Sequence, residues 1–214
     1  IKWISYLSCA LVLLPSFISS QQLTGSLIYA IPIILLILFA HVIITNMKIN
    51  FKDIAYTFFG IAYIIGCIIF LALSRGLENG RVLIWYAIIA AWGTDIFAYL
   101  IGKRFGKHKF SQVSPKKSIE GCIAGTIGAV VIALIYTFAI NSILNLSYSY
   151  VLVIIATAIL SVVGQVGDFA ASSIKRYADI KDYSNLIPGH GGMLDRIDSL
   201  MFLAPFAYLV FNLL

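Results

Sequence analysis

The sequence predicts an all-α, polytopic membrane helix bundle with about seven transmembrane helices and a cytoplasmic N-terminus. Three observations carry that expectation. First, the 214-residue chain is 61% hydrophobic and only 11% charged, with a mean hydropathy of +0.97. A soluble domain carries about a quarter charged residues, so this chain cannot cover itself with polar surface and its solvent must largely be lipid. Second, apolar windows of roughly 20 residues, the length that crosses a hydrocarbon core, recur along it. Lipid offers no partner for backbone N–H and C=O groups, and no alternating barrel pattern is present, so these windows must be helices. Third, the cationic residues fall almost entirely on one side of the alternating spans.

Taken in order, the first apolar window runs over residues 3–18, with Pro15 near its end. Lys2, the apolar run and the small polar residues after it resemble a signal peptide, but the many spans that follow favour a retained helix. Further helices are expected at about 27–45, 54–73, 82–101, 119–140, 150–172 and 197–213. If seven spans alternate, Lys2, Lys48, Lys52 and the loops 103–117 and 175–196 share one side. That side holds thirteen of the fifteen Lys and Arg residues, and the other holds only Arg75 and Arg81. The positive-inside rule makes the first side cytoplasmic. A single integral membrane domain, 1–214, is expected, with its motifs in 92–121 and 168–198 and none in the N-terminal helices of 1–53. The net charge of +6 sets orientation and meets anionic headgroups; it argues weakly for nucleic acid, because the cations sit in short loops between spans. Cys9, Cys67 and Cys122 lie in apolar helical context without C-x-x-C or His/Cys clusters, which indicates neither zinc nor a disulfide framework.

Chemistry concentrates at the edge of this apolar mass. Five of the nine acidic residues lie between Asp168 and Asp198, interleaved with Lys175, Arg176, Lys181 and Arg196. Asp168 stands inside a helix, seven residues before Lys175 and so about 10 Å inward. A carboxylate at that depth faces the bundle interior or a wet cavity; the plainer reading is a structural ion pair. Asp95 is the matching case, about 12 Å inward of Lys103, with Tyr99 one turn on along the same face. Its plainer reading is a helix–helix hydrogen bond. Asp195 and Asp198 share a face at a helix start and repel unless a cation lies between them. Oxygen-only ligands favour Mg²⁺ where phosphates complete its shell, while acids at a helix N-terminus are also stabilising on their own. In the preceding Pro-Gly-His-Gly-Gly turn, Gly191 and Gly192 permit close backbone approach, and the helix N-terminus favours an anion. His190 could bond a phosphate oxygen or shuttle a proton. Lys116, Lys117, Lys175 and Arg176 are candidate phosphate clamps, against plain positive-inside topology. His41 and His108 have no acidic partner at ligand spacing and read as structural. Gly121, Gly125 and Gly128 read as a helix-packing stripe.

These residues also match a family. Ser172-Ser-Ile-Lys-Arg, Lys181-Asp182, Ser184, Pro188, His190-Gly-Gly-Met and Asp195-Arg-Ile-Asp198 together resemble the signature of phosphatidate cytidylyltransferases, or CDP-diacylglycerol synthases. Asp95-Ile-Phe-Ala-Tyr-Leu-Ile-Gly, Gly106-Lys-His-Lys and Ser114-Pro-Lys-Lys-Ser-Ile-Glu-Gly resemble that family's second characteristic region. The similarity runs from about residue 92 to the C-terminus. It implies a membrane bundle, dimeric in the family, that converts CTP and phosphatidic acid to CDP-diacylglycerol and pyrophosphate. It implies Mg²⁺, with K⁺ as a second cation, held by Asp168 and Asp195. The catalytic set it implies is Asp168, Lys175, Arg176, His190, Asp195 and Asp198. Its substrate-binding set is Asp95, Tyr99, Ser114, Lys116, Lys117, Glu120, Lys181, Asp182, Gly191, Gly192 and Arg196. Members commonly carry more N-terminal spans than are counted here. Two other readings stand beside this one: a CTP-dependent polyprenol kinase or archaeal-type lipid cytidylyltransferase, and a transporter with Asp95 and Asp168 as intramembrane ion sites. The clustering of polar residues on one side and the absence of an inverted repeat speak against the last.

Overall fold

The structure, a computed structural model, describes residues 20–46, 48, 50–110, 114, 117–186 and 191–214. The expected helix at 3–18 lies outside the described residues. The chain falls into two compact units, Ile1–Gly76 and Leu77–Leu214.

In the first unit, α1 (Ser20–Ile44) is followed by α2 (Phe51–Arg75). α2 begins on a reciprocal cap: the Asn50 side chain accepts from the Asp53 N–H, and the Asp53 carboxylate accepts from the Asn50 N–H, both at 3.0 Å. Two orphan donors of the first turn are thereby satisfied, so the helix starts three residues before its apolar run. It closes where the Gly76 N–H reaches the carbonyls of Ala72 and Leu73.

The second unit carries the motifs. α3 (Gly80–Ile88) runs through a π-helical turn, Ile89–Gly93, into α4 (Thr94–Phe105), so one continuous rod spans Gly80–Phe105. α5 (Ile119–Ile143), α6 (Tyr150–Tyr177) and α7 (Leu194–Phe211) complete it. Among the described residues there is no strand, only an isolated bridge between Lys109 and Ser118. Among the described residues four stretches are long and apolar enough to cross a membrane: Phe51–Arg75, Gly80–Phe105, Ile119–Ile143 and Tyr150–Tyr177. The apolar part of α1, Ile31–Ile44, is shorter, and α7 carries Asp195, Arg196 and Asp198 in its opening turns.

The core of this unit is built from small residues. Ala87, Ala90, Ala91, Ala133 and Ala207 are buried together with Tyr86 and Leu160, which lets helix backbones approach closely. The Tyr86 hydroxyl is satisfied by Thr137 Oγ1 at 2.8 Å. The glycine stripe of α5 is the contact with α4: a Cβ on Gly125 would stand 2.7 Å from the Thr94 carbonyl oxygen, and one on Gly121 2.8 Å from that of Ala98. The two ends of the unit differ in chemistry. Glu78, Asn79, Ser147, Tyr148 and Asn212 line a cavity at one end. The long polar connections after α4 and α6 lie at the other, and there the carboxylates gather.

Candidate active site

Asp195 is fixed first, because it is the most completely bonded. Its Oδ2 accepts the backbone N–H groups of Tyr183 at 2.9 Å and Gly192 at 3.0 Å. Its Oδ1 accepts Lys175 Nζ at 2.8 Å. The Lys175 ammonium also lies 3.9 Å from Asp198 Oδ2. These side chains are nearly out of solvent, with Lys175 at 13%, Asp195 at 3% and Asp198 at 9% exposure. Charges buried to that degree persist only when paired and hydrogen-bonded. The cation that the Asp195–Asp198 spacing demands is thus, in this structure, the ammonium of Lys175. Burial pushes the Asp195 carboxyl up, but the Lys175 bond and the two backbone donors outweigh it and hold the group below the usual carboxylate range. Burial, together with the nearby Asp198 and Asp195 carboxylates, pushes the Tyr183 phenol up.

The loop geometry serves the same carboxylate. Gly191 has φ +79°, a conformation L side chains rarely adopt. A Cβ on Gly192 would stand 2.6 Å from Ser184 Oγ and 3.1 Å from Asp195 Oδ2. Both glycines therefore let the backbone close on Asp195.

A second ion pair joins the loop before α5 to α6, where Lys117 meets Asp168. The Lys117 ammonium also lies 4.8 Å from the Phe169 ring centre, and Phe169 stacks on Phe110. Asp95 on α4 accepts from Ser199 Oγ at 3.2 Å, beside Asp198 on α7. Asp95, Tyr99, Ser114, Lys117 and Asp168 line one cavity of about 270 Å³. Asp95, Asp168 and Asp198 stand within electrostatic range of one another. The structure thus brings together carboxylates from α4, α6 and α7 with lysines from α6 and the α4–α5 connection.

Other residues of the expected set lie around this centre. Tyr99 is exposed on the cavity rim, its ring 5.7 Å from Lys103 Nζ. Arg176, Lys181 and Arg196 are exposed, placed to meet a polyanion approaching from the loop side, and Asp182 is exposed as well. Glu120 is occupied locally: it accepts the backbone N–H groups of Lys107 and His108 at 3.2 Å and bonds His108 Nδ1 at 2.6 Å. It closes the loop ahead of α5, and it gives His108 an acidic partner twelve residues away that spacing alone does not show. Lys116 and His190 lie outside the described residues.

Among the described residues no three His, Cys, Asp or Glu side chains form a ready metal cage. The chemistry of the donors nonetheless fits a hard divalent cation. Four clustered carboxylates face two lysines, a formal excess of two negative charges, and all donors are oxygen. Mg²⁺ binds through one or two carboxylates when substrate phosphates supply the rest.

Sequence reasoning missed a polar knot just below Asp95 and Asp168. Gln165 Nε2 donates to Thr126 Oγ1 at 3.0 Å and to the Cys122 carbonyl at 3.2 Å. Thr126 Oγ1 and Ser161 Oγ are 2.9 Å apart, Ser161 Oγ and Thr94 Oγ1 2.6 Å. The Thr94 hydroxyl donates to the Ala90 carbonyl at 2.5 Å. The only signal was a polar residue at Thr94, Thr126, Ser161 and Gln165 in otherwise apolar spans.

Known proteins resemble this chain over most of its length. The family described as "Cytidylyltransferase family" matches residues 2–214. A phosphatidate cytidylyltransferase of Bacillus subtilis (strain 168) is 37% identical over 180 residues, 83% of this chain and 65% of the relative. One of Staphylococcus haemolyticus is 37% identical over 171 residues, 79% of this chain and 63% of the relative. One of Staphylococcus saprophyticus is 33% identical over 208 residues, 94% and 75%. The chain thus spans just under two thirds of the first two relatives. With a match that runs from residue 2 to the last residue and takes in every element of the carboxylate–lysine centre, this chain belongs to the cytidylyltransferase family.

Proposed function

We propose that the chain acts as a phosphatidate cytidylyltransferase, joining CTP to phosphatidic acid to give CDP-diacylglycerol and pyrophosphate in phospholipid biosynthesis. The observation that carries the reading is the pairing of Lys117 with Asp168 and of Lys175 with Asp195 and Asp198 at one polar end of an apolar bundle. The names of the relatives support it.

The chemistry asks little of a base, because the lipid phosphate is already anionic. One of its oxygens attacks the α-phosphorus of CTP in line, the bond to the bridging oxygen breaks, and pyrophosphate leaves. The obstacle is repulsion between two polyanions, so catalysis is positioning and charge neutralisation. Lys117 and Lys175 stand at the centre of the site and would meet phosphate oxygens as Asp168 and Asp195 take up the metal. Arg176, Lys181 and Arg196, exposed around it, would draw the triphosphate in from solution, with Lys116 and His190 as further phosphate contacts. Mg²⁺, with K⁺ as a second cation, would be held by Asp168 and Asp195 and would neutralise charge on the leaving pyrophosphate. Tyr99 and Ser114 line the cavity beside Asp95 and would fix the substrate there.

In this reading the chain is a multi-pass protein of the bacterial cell membrane, with seven spans, a cytoplasmic N-terminus and site, and a homodimeric assembly. The test is pyrophosphate release by purified protein in detergent. Release is expected to require CTP, phosphatidic acid and Mg²⁺ together, to stop with EDTA, and to be lost in Asp168→Asn. Release from either substrate alone, or full release by Asp168→Asn, would overturn the assignment.

A further inference from the structure

We infer that Gln165, Thr126, Ser161 and Thr94 are positioning residues that set the register of Asp95 and Asp168. The inference rests on the proposed reaction for its kinetic arm but not for its metal-binding arm.

Proton accounting gives the knot a direction. The Thr94 hydroxyl donates to the Ala90 carbonyl, so toward Ser161 it can only accept. Ser161 then spends its proton on Thr94 and accepts from Thr126. Thr126 in turn accepts from the Gln165 amide, whose remaining N–H reaches the Cys122 carbonyl. One polarity, from Gln165 to Ala90, uses every donor along the shortest contacts. The alternative, with Thr126 donating to the Cys122 carbonyl and Gln165 to Ser161, uses bonds of 3.3 and 3.4 Å. Aligned chains of this kind polarise one another and are costly to break in a low-dielectric interior.

The placement gives the chain its purpose. Gln165 and Ser161 are on α6, Thr126 on α5 and Thr94 at the start of α4. Gln165 precedes Asp168 by three residues, so the two share a helix face. Thr94 immediately precedes Asp95. The chain ends on Ala90 within the π-helical turn Ile89–Gly93. A π turn carries one more residue than an α turn, and each residue rotates a helix by about 100°. The register of Asp95 is therefore decided at this turn. The Thr94 backbone N–H bonds Ala91 there, and its hydroxyl takes the Ala90 carbonyl. Thr94 and Ser161 are buried to within 1% and 0% exposure, so no water competes for these bonds.

A rival role is visible. Thr126 and Gln165 also line an apolar cavity with Phe110, Ile123, Val166 and Phe169, where they could touch the lipid substrate directly. The experiment separates the two. Thr126→Val removes the hydroxyl at constant shape, Thr126→Ser keeps it, and Gln165→Leu removes the amide. Each purified variant is assayed for Mn²⁺ affinity by electron paramagnetic resonance, for kcat and both KM values, and for Tm. The expected result for Thr126→Val and Gln165→Leu is about 10-fold weaker Mn²⁺ binding or lower kcat, the lower end of what losing a direct outer-shell partner costs, because the knot acts on the carboxylates through helix register. Any fall in Tm accompanies that loss of Mn²⁺ affinity or turnover, KM for phosphatidate does not rise by itself, and Thr126→Ser restores the parent behaviour. A rise in KM for phosphatidate alone would overturn the inference in favour of direct lipid contact. A fall in Tm with unchanged Mn²⁺ affinity would reduce the knot to packing. If the parent binds Mn²⁺ but transfers no cytidylyl group, the functional reading fails, and the Mn²⁺ comparison still decides the positioning role.

Discussion

Lys175 is the side chain on which the most buried charge depends. It is 13% exposed and faces two carboxylates that are 3% and 9% exposed. Breaking a buried pair by removing one partner costs about 3–5 kcal/mol, because the remaining charge has no compensation. Lys175→Met is therefore expected to lower Tm in detergent well beyond the effect of a surface substitution, and Lys175→Met with Asp198→Asn to recover part of that loss. An unchanged Tm in the single variant would mean that the ion pair contributes nothing to the fold. The pairing itself was only half legible in the sequence. The three-residue spacing of Asp195 and Asp198 demanded a cation between them, but nothing in the spacing says that it is an ammonium supplied twenty residues earlier. Glu120 shows the same limit: its partners come from a loop turn at His108, which hydropathy and motif spacing do not encode.

Helices were legible where hydropathy is the whole cause, and less so where local hydrogen bonding intervenes. The apolar centres expected at 54–73 and 150–172 lie within Phe51–Arg75 and Tyr150–Tyr177. The extensions are polar turns held by the Asn50–Asp53 cap and by Lys175 reaching back to Asp195. The π-helical turn has no hydropathy signature, because it changes backbone register and leaves composition untouched. The glycine stripe could be read as packing, and the structure says against what. Gly125 faces the Thr94 carbonyl at a distance no Cβ can share, whereas a Cβ on Gly60 in α2 would meet nothing within 4 Å. Gly→Ala in an open helix position gains about 0.5–1 kcal/mol. The expected outcome is a raised Tm for Gly60→Ala and a lowered one for Gly125→Ala, with Asp95 displaced and turnover reduced only in the latter. Equal shifts in the two would deny that the α4–α5 approach is close.

At the scale of the whole chain, charge was the most informative signal, because it reports on sides rather than on contacts. Within Leu77–Leu214, ten of the eleven Lys and Arg residues fall at or beside the connections that carry the site, and only Arg81 falls near the opposite end. That opposite end gathers Asn79, Ser147 and Asn212 around one cavity, so the C-terminal residues and the carboxylate centre lie at different ends of this unit. In the proposed reaction a soluble nucleotide and a lipid headgroup can meet only where the polar end faces the compartment that supplies CTP, and cations retained in the cytoplasm would set that orientation. Single cysteines at Lys107 and Lys181, in a background lacking the native ones, are therefore expected to resist a membrane-impermeant maleimide in intact cells and to react once the membrane is opened. Cysteines at Asn79 and Ser147 are expected to react in both conditions. The reverse pattern would place the carboxylate centre outside the cell, away from any CTP, and would overturn the orientation and the proposed reaction together.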